Sequence, residues 1–203
     1  MKLGVFFALF GSMTLDEAIA YVKDVGGVSM VELGTGNYPG SPHLDVKELL
    51  SSKAKREALK KKIADAGLGI SALSCHGNPL HPEKKNAAAH QETARDTVRL
   101  AEKLGVKIVV DFSGCPGDSD GAKHPNWVTC PWPDDFTQVL EWQWEKKVIP
   151  YWNRHAKFAR DHGVKIGIEM HPGFVVYNPE SLLRLRSACG SNIGANFDPS
   201  HLF

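Results

Sequence analysis

Short, nearly continuous apolar runs alternate with longer amphipathic segments along this chain. Residues 3–9 form the first run. Thr14 and Glu17 then have the spacing of a capping box, Thr at the N-cap and Glu three residues on. Leu15, Ile19 and Val22 follow at i, i+4 and i+7, a helical stripe that Gly26-Gly27 ends. Residues 29–33 predict a second strand, and a polar loop through Asn37-Tyr38-Pro39-Gly40 follows. The same alternation predicts a helix over 53–66, a strand over 68–75, a long helix over 83–104 and a strand over 106–112. Beyond an irregular insertion at 113–137 it predicts a helix over 138–162, bent near Pro150, and a strand over 164–170. Asn178-Pro179 starts a last helix with Asn as cap and Pro at N1, and residues 192–197 form strand six.

Strand and helix therefore alternate six times, with only the last helix lacking. Apolar strands in this order belong to a parallel sheet covered on both faces, with right-handed crossovers. A doubly wound sheet and a (β/α) barrel both fit. The phosphate-cradling loops of doubly wound proteins are absent: there is no G-x-G-x-x-G after a strand and no G-x-x-x-x-G-K-[ST]. Gly34-Thr35-Gly36 lacks the third glycine and reads as a turn. The expected fold is α/β, a TIM (β/α)8-type barrel with about six βα units present, as one domain over 1–203. Eight units at this spacing need roughly 270 residues, so the chain is expected to be the six-strand portion of a longer protein.

Composition narrows the function classes. With 42% hydrophobic and 23% charged residues the chain is globular, and no apolar run reaches the ~20 residues of a membrane span. Lys+Arg is 24 and Asp+Glu 23, a net charge of +1, so neither a nucleic acid nor a membrane is expected as partner. The basic stretch from Lys53 to Lys62 reads as a solvated helix face. Residues 3–10 faintly resemble a signal peptide, but one positive charge precedes them and no A-x-A site follows, so a buried strand fits better. Cys75, Cys115, Cys130 and Cys189 form no C-x-x-C pair, as expected for reduced thiols in a cytoplasmic protein. A homo-oligomer is compatible with all of this.

Parallel α/β proteins place ligands at the carboxyl ends of their strands. There the chain puts Glu32, then His76, Asn78 and His81, then Asp111, then Glu169 and His171, then Asp198 and His201. Hard oxygen donors with imidazoles suit a metal or a polyol. Each residue also has a plainer reading. Asp198 before Pro199 fits an Asx turn, His171-Pro172-Gly173 fits a turn, and His81-Pro82 fits a helix start. Glu169 differs, because it follows Ile166-Gly167-Ile168 in a buried strand and needs a partner there.

Cys75-His76-Gly77-Asn78, Gly167-Ile168-Glu169-Met170-His171 and Asn196-Phe197-Asp198-Pro199-Ser200-His201 together resemble the xylose isomerase-like barrels. This is the sugar phosphate isomerase/epimerase group, which shares its fold with an AP-endonuclease family. The resemblance implies that Glu169 binds a divalent metal (Mn, Mg, Co or Zn) and serves as acid/base. It implies that Asp198 is a second metal ligand and that His201 contacts substrate. His76, His171 and Asn78, by their places at the strand ends, are expected to bind substrate too. Two more family ligands, a His from strand seven and a Glu from strand eight, fall beyond residue 203. The expected activity is that of a metal-dependent sugar or sugar phosphate isomerase or epimerase working through an enediolate, absent from this piece alone. An inosose dehydratase-like lyase, an AP-endonuclease-like repair enzyme and a non-catalytic sugar-binding protein are the alternatives. All five tryptophans fall within 127–152. They suit either a sugar-facing lid, with Trp132 reaching the ligand, or an insertion that packs on itself.

Overall fold

The computed structural model describes residues 2–202; Met1 and Phe203, the ends of the expected domain, lie outside the described residues. The chain is an α/β fold in which six strands alternate with helices. It forms two compact units. One holds the residues up to His76 with Thr93–Val109 and His162–Val164; the other holds Gly77–Glu92, Val110–Asp161 and the residues from Lys165 onward.

In the first unit β1 (Gly4–Phe6), β2 (Met30–Gly34) and β3 (Gly69–Ser74) pair in parallel. β1 is shorter than the apolar run that predicted it. At Phe7 the chain turns into a 3-10 helix, Phe7–Phe10, because Phe7 buries itself fully, edge-on to Phe10 and His43 at 5.5 Å from each. Apolar character alone does not separate a strand from a buried turn. Helix α1 (Leu15–Val25) has the predicted reciprocal cap. Thr14 Oγ1 accepts the Glu17 amide at 3.3 Å, and the Glu17 carboxylate accepts the Thr14 amide at 2.7 Å. A short helix α2 (Val46–Ser51), capped by Asp45, lies between the loop through 37–40 and the helix expected over 53–66, where no element was expected; it buries only Leu49, too little to leave a periodic signal. On α3 (Lys53–Asp65) the cations pair with carboxylates: Lys55 with Glu48 at 3.2 Å, Lys60 with Glu57 at 3.4 Å, Lys61 with Asp65 at 2.6 Å, and Lys62 with Asp16. This is a solvated helix face, each pair contributing about 0–1 kcal/mol.

Helix α4 (Lys84–Leu104) precedes β4 (Ile108–Asp111), within which the chain passes into the second unit. There β5 (Lys165–Glu169) and β6 (Ile193–Asn196) pair in parallel, Ile166 opposite Ile193 and Glu169 opposite Asn196. Between β4 and β5 the irregular stretch expected at 113–137 ends in α5 (Asp134–Trp142), and a π-helical turn (Gln143–Val148) and α6 (Ile149–Asp161) follow where the helix over 138–162 was expected. The irregularity expected at Pro150 thus lies just before it. Proline has no N–H to donate four residues back, and the preceding Ile149 N–H bonds Trp144 O, five back. Helix α7 (Pro179–Cys189) starts as predicted, with Asn178 accepting the Ser181 amide at 2.9 Å. All four cysteines are free thiols. Burial raises the Cys115 thiol to about 12 and the Cys189 thiol to about 11, so both are neutral packing groups. Among the described residues no helix is long and apolar enough to cross a membrane.

The tryptophans divide by role. Trp144 and Trp152 are buried core, while Trp127 and Trp132 are exposed. Trp152 Nε1 donates to Ser113 O at 2.9 Å, and Ser113 Oγ accepts the Val176 amide at 2.9 Å. Ser113 thereby joins the loop after β4 to α6 through its carbonyl and to the loop after β5 through its hydroxyl. Trp152→Phe should cost about 1–3 kcal/mol, since it strands the buried Ser113 carbonyl, and Trp152→Ala about 3–5 kcal/mol. Urea titration should show lower midpoints at an unchanged slope.

Candidate metal and substrate site

β5 positions Glu169 by burying the residues before it. Ile166, Gly167 and Ile168 are buried, and the carboxylate emerges at the strand's carboxyl end with its side chain 14% exposed. Asn196, opposite in the register, donates Nδ2–H to Glu169 Oε2 at 2.6 Å. Glu169 Oε1 is turned to His201 Nε2 at 3.3 Å. His201 sits on a 3-10 turn, Pro199–Leu202, which the Asp198-Pro199 pair begins. Asp198 serves both readings of its sequence. Its Oδ1 accepts the Ser200 amide at 2.8 Å, an Asx-type turn, while its Oδ2 faces His201 Nε2 at 3.4 Å. Hydrogen bonds from Ser200, and then the nearby His201 and His171, hold the Asp198 carboxyl below the usual carboxylate range.

One donor atom from each of Glu169, Asp198 and His201 lies within 4.8 Å of the others. A cation with bonds of about 2.1 Å separates neighbouring donors by roughly 3.0–3.4 Å, so the His201 contacts already have the required spacing. Two carboxylates with one imidazole form a donor set acceptable to Mg, Mn, Co or Zn. His201, expected as a substrate contact, thus stands among the two expected ligands.

His171 lies beside them, its ring centroid 4.1 Å from that of His201. Its Nδ1 is 2.6 Å from Pro172 O and must carry the proton there, leaving Nε2 as the acceptor in the neutral ring. Phe112 stacks on Phe174 at 4.4 Å, and both contact His171, at 4.8 and 5.6 Å. The result is an apolar wall next to the polar group. Asn196, Phe112 and Phe174 were not anticipated. The signal for Asn196 was its place at the head of the motif that runs to His201, two residues before Asp198.

The remaining expected site residues have other surroundings. His76 belongs to the first unit, buried, with its ring 6.0 Å from Phe6. Asn78 is buried as a loop clamp: Oδ1 accepts the Leu80 and Cys115 amides at 3.1 and 2.9 Å, and Nδ2 donates to Cys115 O at 2.9 Å. Trp132 is 73% exposed on its loop. His81 Nδ1 accepts the Glu83 amide at 3.1 Å, as a helix-start residue would.

A family model described as "Xylose isomerase-like TIM barrel" matches residues 19–203. The protein YfiH of Bacillus subtilis (strain 168) is 38% identical over 205 residues, covering 100% of this chain and 65% of YfiH. The chain therefore spans just under two thirds of that relative. Among solved structures, an L-ribulose 3-epimerase superposes with a TM-score of 0.62 at 22% identity, covering 100% of this chain and 62% of the other. A xylose isomerase-like TIM barrel protein from Mycobacterium smegmatis in complex with magnesium has a TM-score of 0.65 at 16% identity, covering 99% and 65%. At these identities the structural likeness is one of fold.

The Asn78 loop depends on a neutral histidine. His90 Nδ1 accepts the Asn78 amide at 2.8 Å, which an imidazolium cannot do. Burial, and then the charge of His81, hold the His90 pKa below that of a free imidazole. The stability this bond contributes is therefore complete above the unfolded value of about 6.5 and falls with pH below it. Urea midpoints should drop more between pH 7.5 and 5.5 for the native chain than for His90→Gln.

Proposed function

Because the chain belongs to the xylose isomerase-like TIM barrel family, we propose that it supplies the metal and proton-transfer half of a sugar isomerase or epimerase site. The observation that carries this reading is the grouping of Glu169, Asp198 and His201 within 4.8 Å at the end of β5 and β6. These three residues would hold a divalent cation, with Glu169 and Asp198 in the ligand roles expected from the sequence and His201 joining them. A cation held there supplies polarisation of a substrate carbonyl and compensation of the negative charge that develops on it.

The residues divide the remaining work. Glu169 takes the proton from the carbon beside the carbonyl, and the electron pair of that C–H bond moves into the enediolate. The protonated Glu169 then returns it, to the same carbon or to its neighbour. Asn196, donating to Oε2 at 2.6 Å, fixes the carboxylate plane and leaves Oε2 a second lone pair for that proton. Asn196 is thus a positioning residue. His171, through its free Nε2, is placed to bind a substrate hydroxyl, and the Phe112–Phe174 wall suits the apolar face of a sugar carbon chain. The L-ribulose 3-epimerase similarity supports a ketose as substrate class.

The proper subject for assay is the full-length protein, given the 65% coverage of YfiH. Metal content by mass spectrometry and a ketose panel in deuterated water should show stoichiometric divalent metal and deuterium incorporation at the carbon beside the carbonyl. Glu169→Gln should lower turnover by about 10²–10⁴-fold. Metal-dependent turnover surviving in that variant would exclude the role given to Glu169. Asn196→Leu should lower turnover while metal is retained, and shift the acid limb of the pH profile, because the Glu169 carboxylate loses a hydrogen bond that favours its charged form.

A further inference from the structure

A cavity of about 430 Å³ opens in the second unit, between the loop after β3, the start of α4, the loop after β4 and the α5–α6 segment. It shares no lining residue with the Glu169 group. Its wall carries four cations, Lys84, Lys146, Lys147 and Arg154, against one carboxylate, Asp120. Asp120 already holds Lys147, at 2.5 Å. Lys84, Lys146 and Arg154 have no acidic partner among the described residues, whereas four of the α3 cations each have one. In a chain whose net charge is +1, this leaves three unmatched positive charges around one concavity.

The backbone builds this arrangement. In a regular α-helix, residues five apart point roughly 140° away from each other. The π turn over Gln143–Val148 removes that divergence, and Lys147 Nζ lies 4.9 Å over the ring of Trp142, five residues earlier. Two consecutive lysines thereby face one cavity. The opposite rim is fixed by the buried Gln143, whose Nε2 donates to the carbonyls of Pro116, Gly117 and Asn126 at 3.4, 3.0 and 2.7 Å. The cavity is thus formed before any ligand arrives.

We propose that this cavity is a binding site for a phosphate-bearing small molecule, separate from the Glu169 site. The planar Arg154 fork matches a phosphate bidentately, and Lys84 and Lys146 act as point charges on its other oxygens. The volume lies in the range of small-metabolite sites, too small for a folded partner. The proposal does not rest on the isomerase reading and is tested without turnover. Inorganic pyrophosphate is titrated calorimetrically into the protein at 0.15 M salt with EDTA present, so that no bound metal captures it. One saturable site is expected. Lys146→Ala and Arg154→Ala should each weaken it about tenfold or more. Lys61→Ala, on the paired α3 face, should leave it unchanged. Absence of saturation, equal loss in Lys61→Ala, or unchanged affinity in both cavity variants would overturn the proposal. So would tighter binding of a 12-nucleotide single-stranded DNA than of pyrophosphate, which would make the patch a polyanion surface.

Discussion

Glu169 and Asn196 stand opposite one another in the parallel β5–β6 register, and the 2.6 Å hydrogen bond between their side chains depends on that register. Successive strand residues point to opposite faces, so a slip of one position would turn one of the two groups away. Burial of Ile166, Ile168 and Ile193 holds the strands in place. The turn after β6 then has only two residues in which to bring Asp198 beside Glu169. Asp198 manages this because one carboxylate oxygen satisfies the Ser200 amide while the other remains available at the site.

The loops that frame the second unit are organised by a few buried polar side chains. Asn78, Ser113, Gln143 and Trp152 each hydrogen-bond backbone groups of irregular segments that have no ladder of their own. Leaving such groups unpaired in the interior would cost about 1–3 kcal/mol apiece. The same clamps shape the surfaces between them. Asn78 is part of this frame, and the basic cavity owes its rim to Gln143.

Helix α1, helix α7 and the apolar strands were legible because their signals are local. The Thr14–Glu17 box, the Asn178-Pro179 start and the continuous apolar runs each act within a few residues. The early end of β1 at Phe7 and the π turn at Gln143–Val148 were not. The first depends on the packing of Phe7 against His43, distant in sequence, and the second on how the helix before Pro150 absorbs a missing donor. Within the candidate site, Glu169 and Asp198 stood out as carboxylates at strand ends, whereas Asn196 and Phe112 look like ordinary strand residues until their neighbours are known.

By itself, then, the order of apolar and amphipathic segments determined an α/β chain of six alternating units, and the strand-end carboxylates and imidazoles marked its candidate site. Periodicity is a short-range property, and six repeats of it leave little freedom in fold class. Only the tertiary structure decided that His201 lies beside both carboxylates and that Asn196 holds Glu169. It also decided that Trp152 is core while Trp132 is solvent-exposed. Those outcomes depend on strand register and on long-range packing, which bring together residues tens of positions apart and leave no trace in local spacing.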